Sequence, residues 1–527
     1  MQLPGESLGQ LLRRQAHSLG EQPFLRFEGQ ELSFAQVERC TNRIAQFLSS
    51  KGISPGDRVA VMLPNGLDFP LAWLSIAKMG AVMVPINVQY KEHDLAYTLG
   101  DSGAVLALAD HALAPALAAA RATVSTLRGV VGFPPGTLAG SSHGPIADQV
   151  QRFPQEFELP AVSPDALLNI QYTSGTTGEP KGCMLTHEYW TLMGQRSWEF
   201  STLGAGDVAL TAQPFYYMDP QWNVVMCLHG GIPLVILPRF SATTFWRSVK
   251  ESGASFFYVL GTMPLYLLKQ APDPAVERGH RVKFVACSGI IPQLHAEYEA
   301  RWGVPWREAY GTTESGVDLI VPVEDTASVG TGGMGRPIVG KEARVVDANG
   351  VVVADGEVGE LVVRGKPMMV GYWNRPDATD EKIRDGWLHT GDLVVRDARG
   401  HYRIVGRLKD MIRRGGENIS AAEVEGVLAE HPAVRAAAVV PVPDELRGEE
   451  VKAFIQLQPD AASAPIQPEE ILRFVRERLA AFKVPRYVEY IDEFPRTPSE
   501  RVEKHRLLAL RDDQRSGAYD ASVGAWR

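Results

Sequence analysis

Two hydrophobic rhythms alternate through the first hundred residues, one helical and one strand-like. Ser33-Phe34-Ala35-Gln36 has the form of a capping box and predicts a helix running to about residue 49. The apolar run 58–63 reads as a buried strand, closed by the turn Pro64-Asn65-Gly66. A helical pattern through Met79, a short strand over 81–85, a helix near Asp94 and a strand over 104–109 follow. Further strands are expected over 166–170, 208–212, 234–237 and 256–260. Strands alternating with helices predict an α/β fold with doubly wound parallel sheets, whose ligands sit where loops leave the carboxyl ends of strands. Residues 132–163, rich in Pro, Gly, Ser and Ala, read as surface connection. Beyond Lys409 come a helix capped by Ser420, strands over 436–441 and 451–457, a helix over 469–480 and a strand over 487–494. They predict a small α+β unit of about 100 residues, a common domain size.

Length and charge narrow the picture. At 527 residues the chain exceeds one ordinary core. A hydrophobic content of 45% with 22% charged residues is that of a globular protein. The net charge of −9 argues against an electrostatic nucleic-acid binder. Cys40, Cys183, Cys227 and Cys287 lie far apart without metal-ligand spacing, so buried thiols in a reducing cytoplasm are expected. The apolar stretch 224–238 is too short to span a membrane and is interrupted by Gly230, Gly231 and Pro233. The first residues lack the basic and apolar regions of an export signal.

The densest chemistry follows the expected strand 166–170. Tyr172-Thr173-Ser174-Gly175-Thr176-Thr177-Gly178-Glu179-Pro180-Lys181-Gly182 combines glycines, hydroxyls and one lysine. Glycine lets backbone amides approach a ligand closely, and Lys181 adds a point charge suited to phosphate. The order of residues excludes a Walker loop, because Gly182 follows Lys181 and no glycine directly precedes it.

This stretch resembles the phosphate-binding signature of the adenylate-forming superfamily, which includes acyl- and aryl-CoA synthetases, peptide-synthetase adenylation domains and luciferases. The resemblance covers nearly the whole chain. The segment from Asp410 through Gly415 and Gly416 to Ser420 is similar to that of crotonobetaine/carnitine-CoA ligases. It implies a large N-terminal domain over 1–408 and a small mobile C-terminal domain over 409–527, with the hinge at Lys409. It further implies that Thr173, Ser174, Gly175, Thr176, Thr177 and Gly178 cradle phosphates together with Lys181. Ser288 and Gly289 would lie along adenine, and Gly261 and Ile290 would line the acyl pocket. In Tyr310-Gly311-Thr312-Thr313-Glu314 the resemblance assigns Tyr310 to stacking on adenine, Thr313 to the α-phosphate and Glu314 to Mg²⁺.

Asp392 can accept hydrogen bonds from both ribose hydroxyls, with Arg407 assisting at ribose or phosphate. Gly415 and Gly416 correspond to the family loop that lines the pantetheine tunnel. For the acid, Tyr216, Tyr217, Asp219 and Trp222 offer either a cage for a quaternary ammonium or a hydrophobic wall for a ring. The closing motif carries Ser499-Glu500-Arg501 where the family has Ser-Gly-Lys, so Arg501 is expected to take over the lysine's contact with carboxylate and α-phosphate. Lys504 is the competing candidate.

The implied activity is an ATP-dependent carboxylic acid:CoA ligase that forms an acyl-adenylate and releases AMP and pyrophosphate. Its expected ligands are a small carboxylic acid, ATP, Mg²⁺ and coenzyme A. No nucleic acid is expected, and a homodimer is allowed. Two rivals differ in class: a free-standing adenylation enzyme loading a carrier protein, and a nucleotide-binding regulatory protein without catalysis.

Overall fold

Helix Phe34–Ser50 begins where its capping box puts it. Ser33 Oγ accepts the Gln36 amide at 3.0 Å, and Gln36 Oε1 accepts the Ser33 amide at 2.7 Å. The same reciprocal pair at Ser7 and Gln10 opens helix Leu8–Leu19. The computed structural model describes residues 5–173, 180–261, 263–414, 417–444, 447–459, 466–479, 481–496 and 502–527. Their contacts divide the chain into two units, one of Met1–Thr173, Pro180–Ala343 and Val363–Leu388, the other containing Arg344–Val362 and His389–Arg527.

The first unit holds two sheets. One runs in the order Gly129–Phe133, Leu106–Asp110, Arg58–Met62, Val82–Pro85, Leu167–Thr173 and Lys181–Thr186. All neighbours in it are parallel except the last pair, which forms a hairpin with Thr173 opposite Lys181. The other sheet has a parallel centre, Leu234–Ile236, Ala209–Thr211, Phe256–Leu260, Phe284–Ser288 and Trp306–Thr312. The antiparallel strand Gly316–Ile320 continues it beyond Trp306–Thr312. These are the doubly wound sheets that the alternating pattern predicts.

Helix Asp68–Met79 is buried along its whole length, as its apolar sequence requires. Its two charged ends are satisfied internally. Asp68 accepts the amides of Gly136, Leu138 and Ala139 at 2.6, 2.9 and 3.1 Å, and Lys78 Nζ reaches Glu38 Oε2 and Asn42 Oδ1 at 2.6 Å each. An acid in the first turn and a base in the last also match the helix dipole. Burial nevertheless pushes the Asp68 carboxyl up to about 6 and the Lys78 ammonium down to about 8.

The second unit contains a sheet of Glu417–Ser420, Met411–Arg414, Gly448–Leu457 and Tyr487–Tyr490, with Val434–Asp444 also paired to Gly448–Leu457. Ser420 Oγ caps helix Ala421–Ala429 by accepting the Glu423 amide at 3.3 Å. A closing hairpin, Tyr519–Asp520 with Ala525–Trp526, extends this sheet beyond Tyr487–Tyr490 and has no forerunner in the hydrophobic pattern. Two other expectations change. The connection 132–163 contains a helix, Pro145–Gln151, and the strand expected to end at residue 170 continues to Thr173.

Among the described residues no helix is long and apolar enough to cross a membrane. Cys183, Cys227 and Cys287 are buried and Cys40 is half-buried, none of them in a disulfide. Burial raises all four thiols above their ordinary range.

His187 is fully buried, and its Nδ1 accepts the Leu8 amide at 3.2 Å. Burial lowers His187 and His229 to about 4. The unfolded chain therefore takes up protons near pH 6.5 that the fold refuses, so this stability is present above pH 6.5 and is lost as pH falls toward 4. His187→Leu should be less stable at pH 8, because the Leu8 amide loses its acceptor. Its stability should fall less steeply than wild type between pH 6.5 and 4, by up to about 1.4 kcal/mol per pH unit. Denaturant unfolding across that range checks this, and parallel slopes would contradict it.

Candidate active site

Thr313 and Glu314 lie at the tip of the hairpin between Trp306–Thr312 and Gly316–Ile320. A Cβ on Gly311 would stand 2.0 Å from Gly316 O, so no other residue fits there without moving the facing strand. The tip rests on buried polar groups. The Ser315 amide donates to Thr312 Oγ1 at 3.2 Å, Ser315 Oγ donates to Asp318, and Lys341 Nζ stands 3.1 Å from Asp318 Oδ1. Burial pushes the Asp318 carboxyl up, and the Lys341 charge opposes the rise. The Tyr189 hydroxyl fixes the tip from another side by donating to Thr313 O at 2.9 Å.

Lys181 and Glu314 come together on one aromatic ring. Lys181 Nζ lies 5.2 Å from the centre of the Tyr372 ring, and the Tyr372 hydroxyl donates to Glu314 Oε1 at 2.7 Å. Burial, followed by the Glu314 charge, raises the Tyr372 hydroxyl well above its ordinary range and keeps it a donor. Tyr372 was not anticipated; it sits in the apolar run Met368-Met369-Val370-Gly371-Tyr372-Trp373, which carries no chemical signature. Gly182 permits the neighbouring packing, because a Cβ there would meet Ile170 Cγ2 at 2.5 Å.

The Ser288-Gly289-Ile290 turn is gripped by Glu308, a second residue not anticipated. Its Oε1 accepts the Gly289 amide at 2.7 Å and its Oε2 the Ile290 amide at 2.8 Å. Burial carries this carboxyl up to about 7 against the pull of the two amides. Gly289 has φ +93° and Gly261 φ +59°, and the Gly261 amide donates to Ser288 O at 3.0 Å. Ser288 Oγ accepts the Tyr258 hydroxyl at 2.8 Å and donates to Ala309 O. Tyr310, next in the strand, is 8% exposed.

The aromatic residues expected around the acid are partly drawn into the core. Trp222 is 3% exposed and packs edge-on against Tyr258 at 5.4 Å, while Tyr216 and Tyr217 meet each other at 4.7 Å. Asp219 stands in the first turn of helix Met218–Gly230 and is half-buried. The backbone of this segment is held by side-chain amides that the hydrophobic pattern conceals. Gln221 Nε2 donates to Phe215 O at 2.9 Å and Tyr217 O at 3.1 Å, and Gln171 Nε2 donates to Tyr216 O at 2.7 Å. Asn169 Nδ2 donates to Gln221 Oε1 at 2.9 Å, and its own Oδ1 accepts Trp73 Nε1 at 2.9 Å.

In the second unit Asp392 and Arg407 face each other across paired strands, with Arg407 Nε 2.8 Å from Asp392 Oδ1. Glu360 braces the turn before Asp392. Its Oε1 accepts the Gly391 amide at 2.9 Å, and its Oε2 lies 2.7 Å from His389 Nδ1. Lys409 belongs to a single 3₁₀ turn, Leu408–Asp410. Lys504 opens helix Lys504–Leu508. Its Nζ lies 2.8 Å from Glu425 Oε1 and 3.5 Å from Asp410 Oδ2. Ser174, Gly175, Thr176, Thr177, Gly178, Gly415, Gly416 and Arg501 lie outside the described residues.

A doubly wound α/β fold that brings Lys181 and Glu314 together on one ring beside the end of a sheet strand has the form of an α/β enzyme site. The chain belongs to the AMP-binding enzyme family, whose model matches residues 12–373, and the model of the AMP-binding enzyme C-terminal domain matches 423–501. It is 32% identical to a sulfoacetate–CoA ligase of Cupriavidus necator, over 95% of this chain and 97% of that protein. It is 31% identical to a crotonobetaine/carnitine–CoA ligase of Citrobacter koseri, over 95% of this chain and 99% of that one. Its structure resembles the o-succinylbenzoate CoA synthetase of Bacillus subtilis in complex with its acyl-adenylate intermediate. The TM-score is 0.86 at 26% identity, covering 97% of this chain and 99% of that one.

The Tyr372 hydroxyl holds Glu314 by one charge-assisted hydrogen bond, worth about 1.5 kcal/mol. Tyr372→Phe keeps the ring under Lys181, so pyrophosphate–ATP exchange should fall about tenfold while the melting temperature drops by only about 2 °C. Full exchange activity in this variant would remove Tyr372 from the site.

Proposed function

We propose that this chain is an ATP-dependent carboxylic acid:CoA ligase working through an acyl-adenylate. The observation that carries the reading is the meeting of Lys181 and Glu314 at Tyr372, with Thr313 beside Glu314 at the hairpin tip. A carboxylate resists nucleophiles, because its charge repels them and its oxygen leaves poorly. In the first step its oxygen attacks the α-phosphorus of ATP, the bond to the bridging oxygen breaks, and pyrophosphate departs with the electron pair. The CoA sulfur, relieved of its proton, then attacks the acyl carbon, and AMP leaves as the thioester forms. The Lys181 ammonium and the Thr313 hydroxyl offset charge as pyrophosphate departs. No side-chain nucleophile takes part.

Glu314 and Thr313 offer hard oxygen donors, which suit Mg²⁺. Among the described residues no group of three His, Cys, Asp or Glu could hold a metal. Glu314 would supply one carboxylate to the ion, with phosphate oxygens and water as the other donors. When bound, magnesium neutralises phosphate charge and polarises the reacting phosphoryl group. Asp392, aligned by Arg407 and by the Glu360 brace, binds the ribose hydroxyls. Residues 409–527 form the mobile domain, with Lys409 as its hinge and Gly415 and Gly416 along the pantetheine path. The reading sets the enzyme in the cytoplasm, where ATP and CoA are available.

The two ligases named above act on chemically different acids, so the acid is to be found by a panel. Carnitine-like, sulfonated, aromatic and alicyclic acids should include at least one that drives exchange of labelled pyrophosphate into ATP and, with CoA, release of AMP. Exchange with no acid in the panel would count against the reading. Glu314→Gln should lower exchange by about 100-fold at limiting magnesium; an unchanged rate at every magnesium concentration would remove Glu314 from the metal. Arg501→Ala should abolish exchange while sparing CoA attack on supplied acyl-adenylate. Normal exchange in Arg501→Ala, with failure in Lys504→Ala, would pass the role to Lys504.

A further inference from the structure

Helix Glu92–Ser102 carries Tyr97 and Asp101 one turn apart, so both side chains lie on one face. The Tyr97 hydroxyl donates to Pro180 O at 2.9 Å, and Asp101 Oδ2 accepts the Tyr172 hydroxyl at 2.6 Å. Tyr172 immediately precedes Thr173 and Pro180 immediately precedes Lys181, and these two followers pair directly across the hairpin. One helix face thus holds both strands of that hairpin. The Tyr97 and Tyr172 rings also meet edge-on at 6.4 Å. A third segment locks the helix in place. Asp101 O accepts Trp373 Nε1 at 2.9 Å and Asn374 Nδ2 at 3.0 Å, and Arg375 Nη2 donates to the Tyr97 hydroxyl at 3.3 Å.

We propose that Tyr97 and Asp101 are positioning residues for the nucleotide, setting the separation and direction of Thr173 and Lys181. The proposal rests on the assignment of this hairpin to the phosphates of ATP. Packing alone requires neither hydroxyl, since phenylalanine fills the same space. The hydroxyls fix the backbone from which Lys181 and Thr173 start. A misplacement of about 1 Å at such groups costs on the order of 100-fold in rate. The aromatic segment proposed for the acid is anchored elsewhere on strand Leu167–Thr173, by Asn169 and Gln171, whose side chains point to the opposite face from Tyr172. The effect is therefore selective for ATP.

The Tyr97→Phe/Tyr172→Phe double variant keeps both rings and removes both hydroxyls. Calorimetric titration with MgATP alone should show affinity lowered about tenfold, two part-buried hydrogen bonds being lost. In pyrophosphate exchange the KM for ATP should rise in parallel, while the KM for the acid stays within about twofold. Asp101→Asn keeps an acceptor for the Tyr172 hydroxyl and should retain most of the affinity that Asp101→Ala loses. If the double variant does not fold, Tyr97→Phe alone decides by the same titration. Wild-type ATP affinity in the folded variants, or a rise in the KM for acid equal to that for ATP, overturns the proposal. Failure of the wild type to bind ATP overturns the ligase reading and the proposal with it.

Discussion

A carboxamide buried without partners costs about 1–3 kcal/mol, and strand Leu167–Thr173 places two of them on one face. Asn169 is fully buried and Gln171 is 2% exposed. Gln221, also fully buried, answers both: its oxygen accepts from Asn169, and its nitrogen reaches Gln171 Oε1 at 3.3 Å. The same nitrogen collects the carbonyls of Phe215 and Tyr217, which lie outside any strand. A leucine at Gln221 would pack more cheaply, but it would leave those carbonyls unpaired and the segment free to shift. The opposite face of the strand turns Tyr172 toward Asp101. Strand periodicity of two thus assigns the anchor of the Phe215–Tyr217 backbone to one face and the contact with Asp101 to the other.

The hairpin tip with Thr313 and Glu314 follows a similar logic. Ser315, Asp318 and Lys341 form a buried cluster under the turn, while Gly311 allows the two strands to close above it. Such a cluster stabilises little in net terms, because desolvation offsets the attraction between the charges. Its effect is on geometry: it leaves the turn few other ways to close.

How much of this was legible in the sequence depended on the kind of signal. Capping boxes, buried strands and the glycine motif are local, and Ser33 with Gln36 or Arg58–Met62 stand where their patterns indicated. The strand before the glycine motif runs three residues past Ile170, through the polar Gln171 and Thr173, where the apolar run gives no sign of it. Asn169 and Gln171 face inward because partners distant in sequence satisfy them, which a hydrophobic pattern cannot register. Tyr372 and Glu308 were missed for the related reason that each acts on a residue far away or in another strand. Asp392 could be singled out by its chemistry, but its pairing with Arg407 depends on a strand register that includes a bulge after Leu393. The helix that opens at Lys504 gave no sign in the local pattern.

The burial of the four cysteines has a bearing on a substrate that is itself a thiol. A thiolate is the reactive form, and here burial raises all four cysteine thiols, which favours the protonated form. Mixed disulfides between enzyme and coenzyme A are therefore disfavoured, even when the coenzyme is present in large excess. A chromogenic thiol reagent added to the folded enzyme would count coenzyme A almost alone, so its consumption could be followed without blocking or replacing any cysteine.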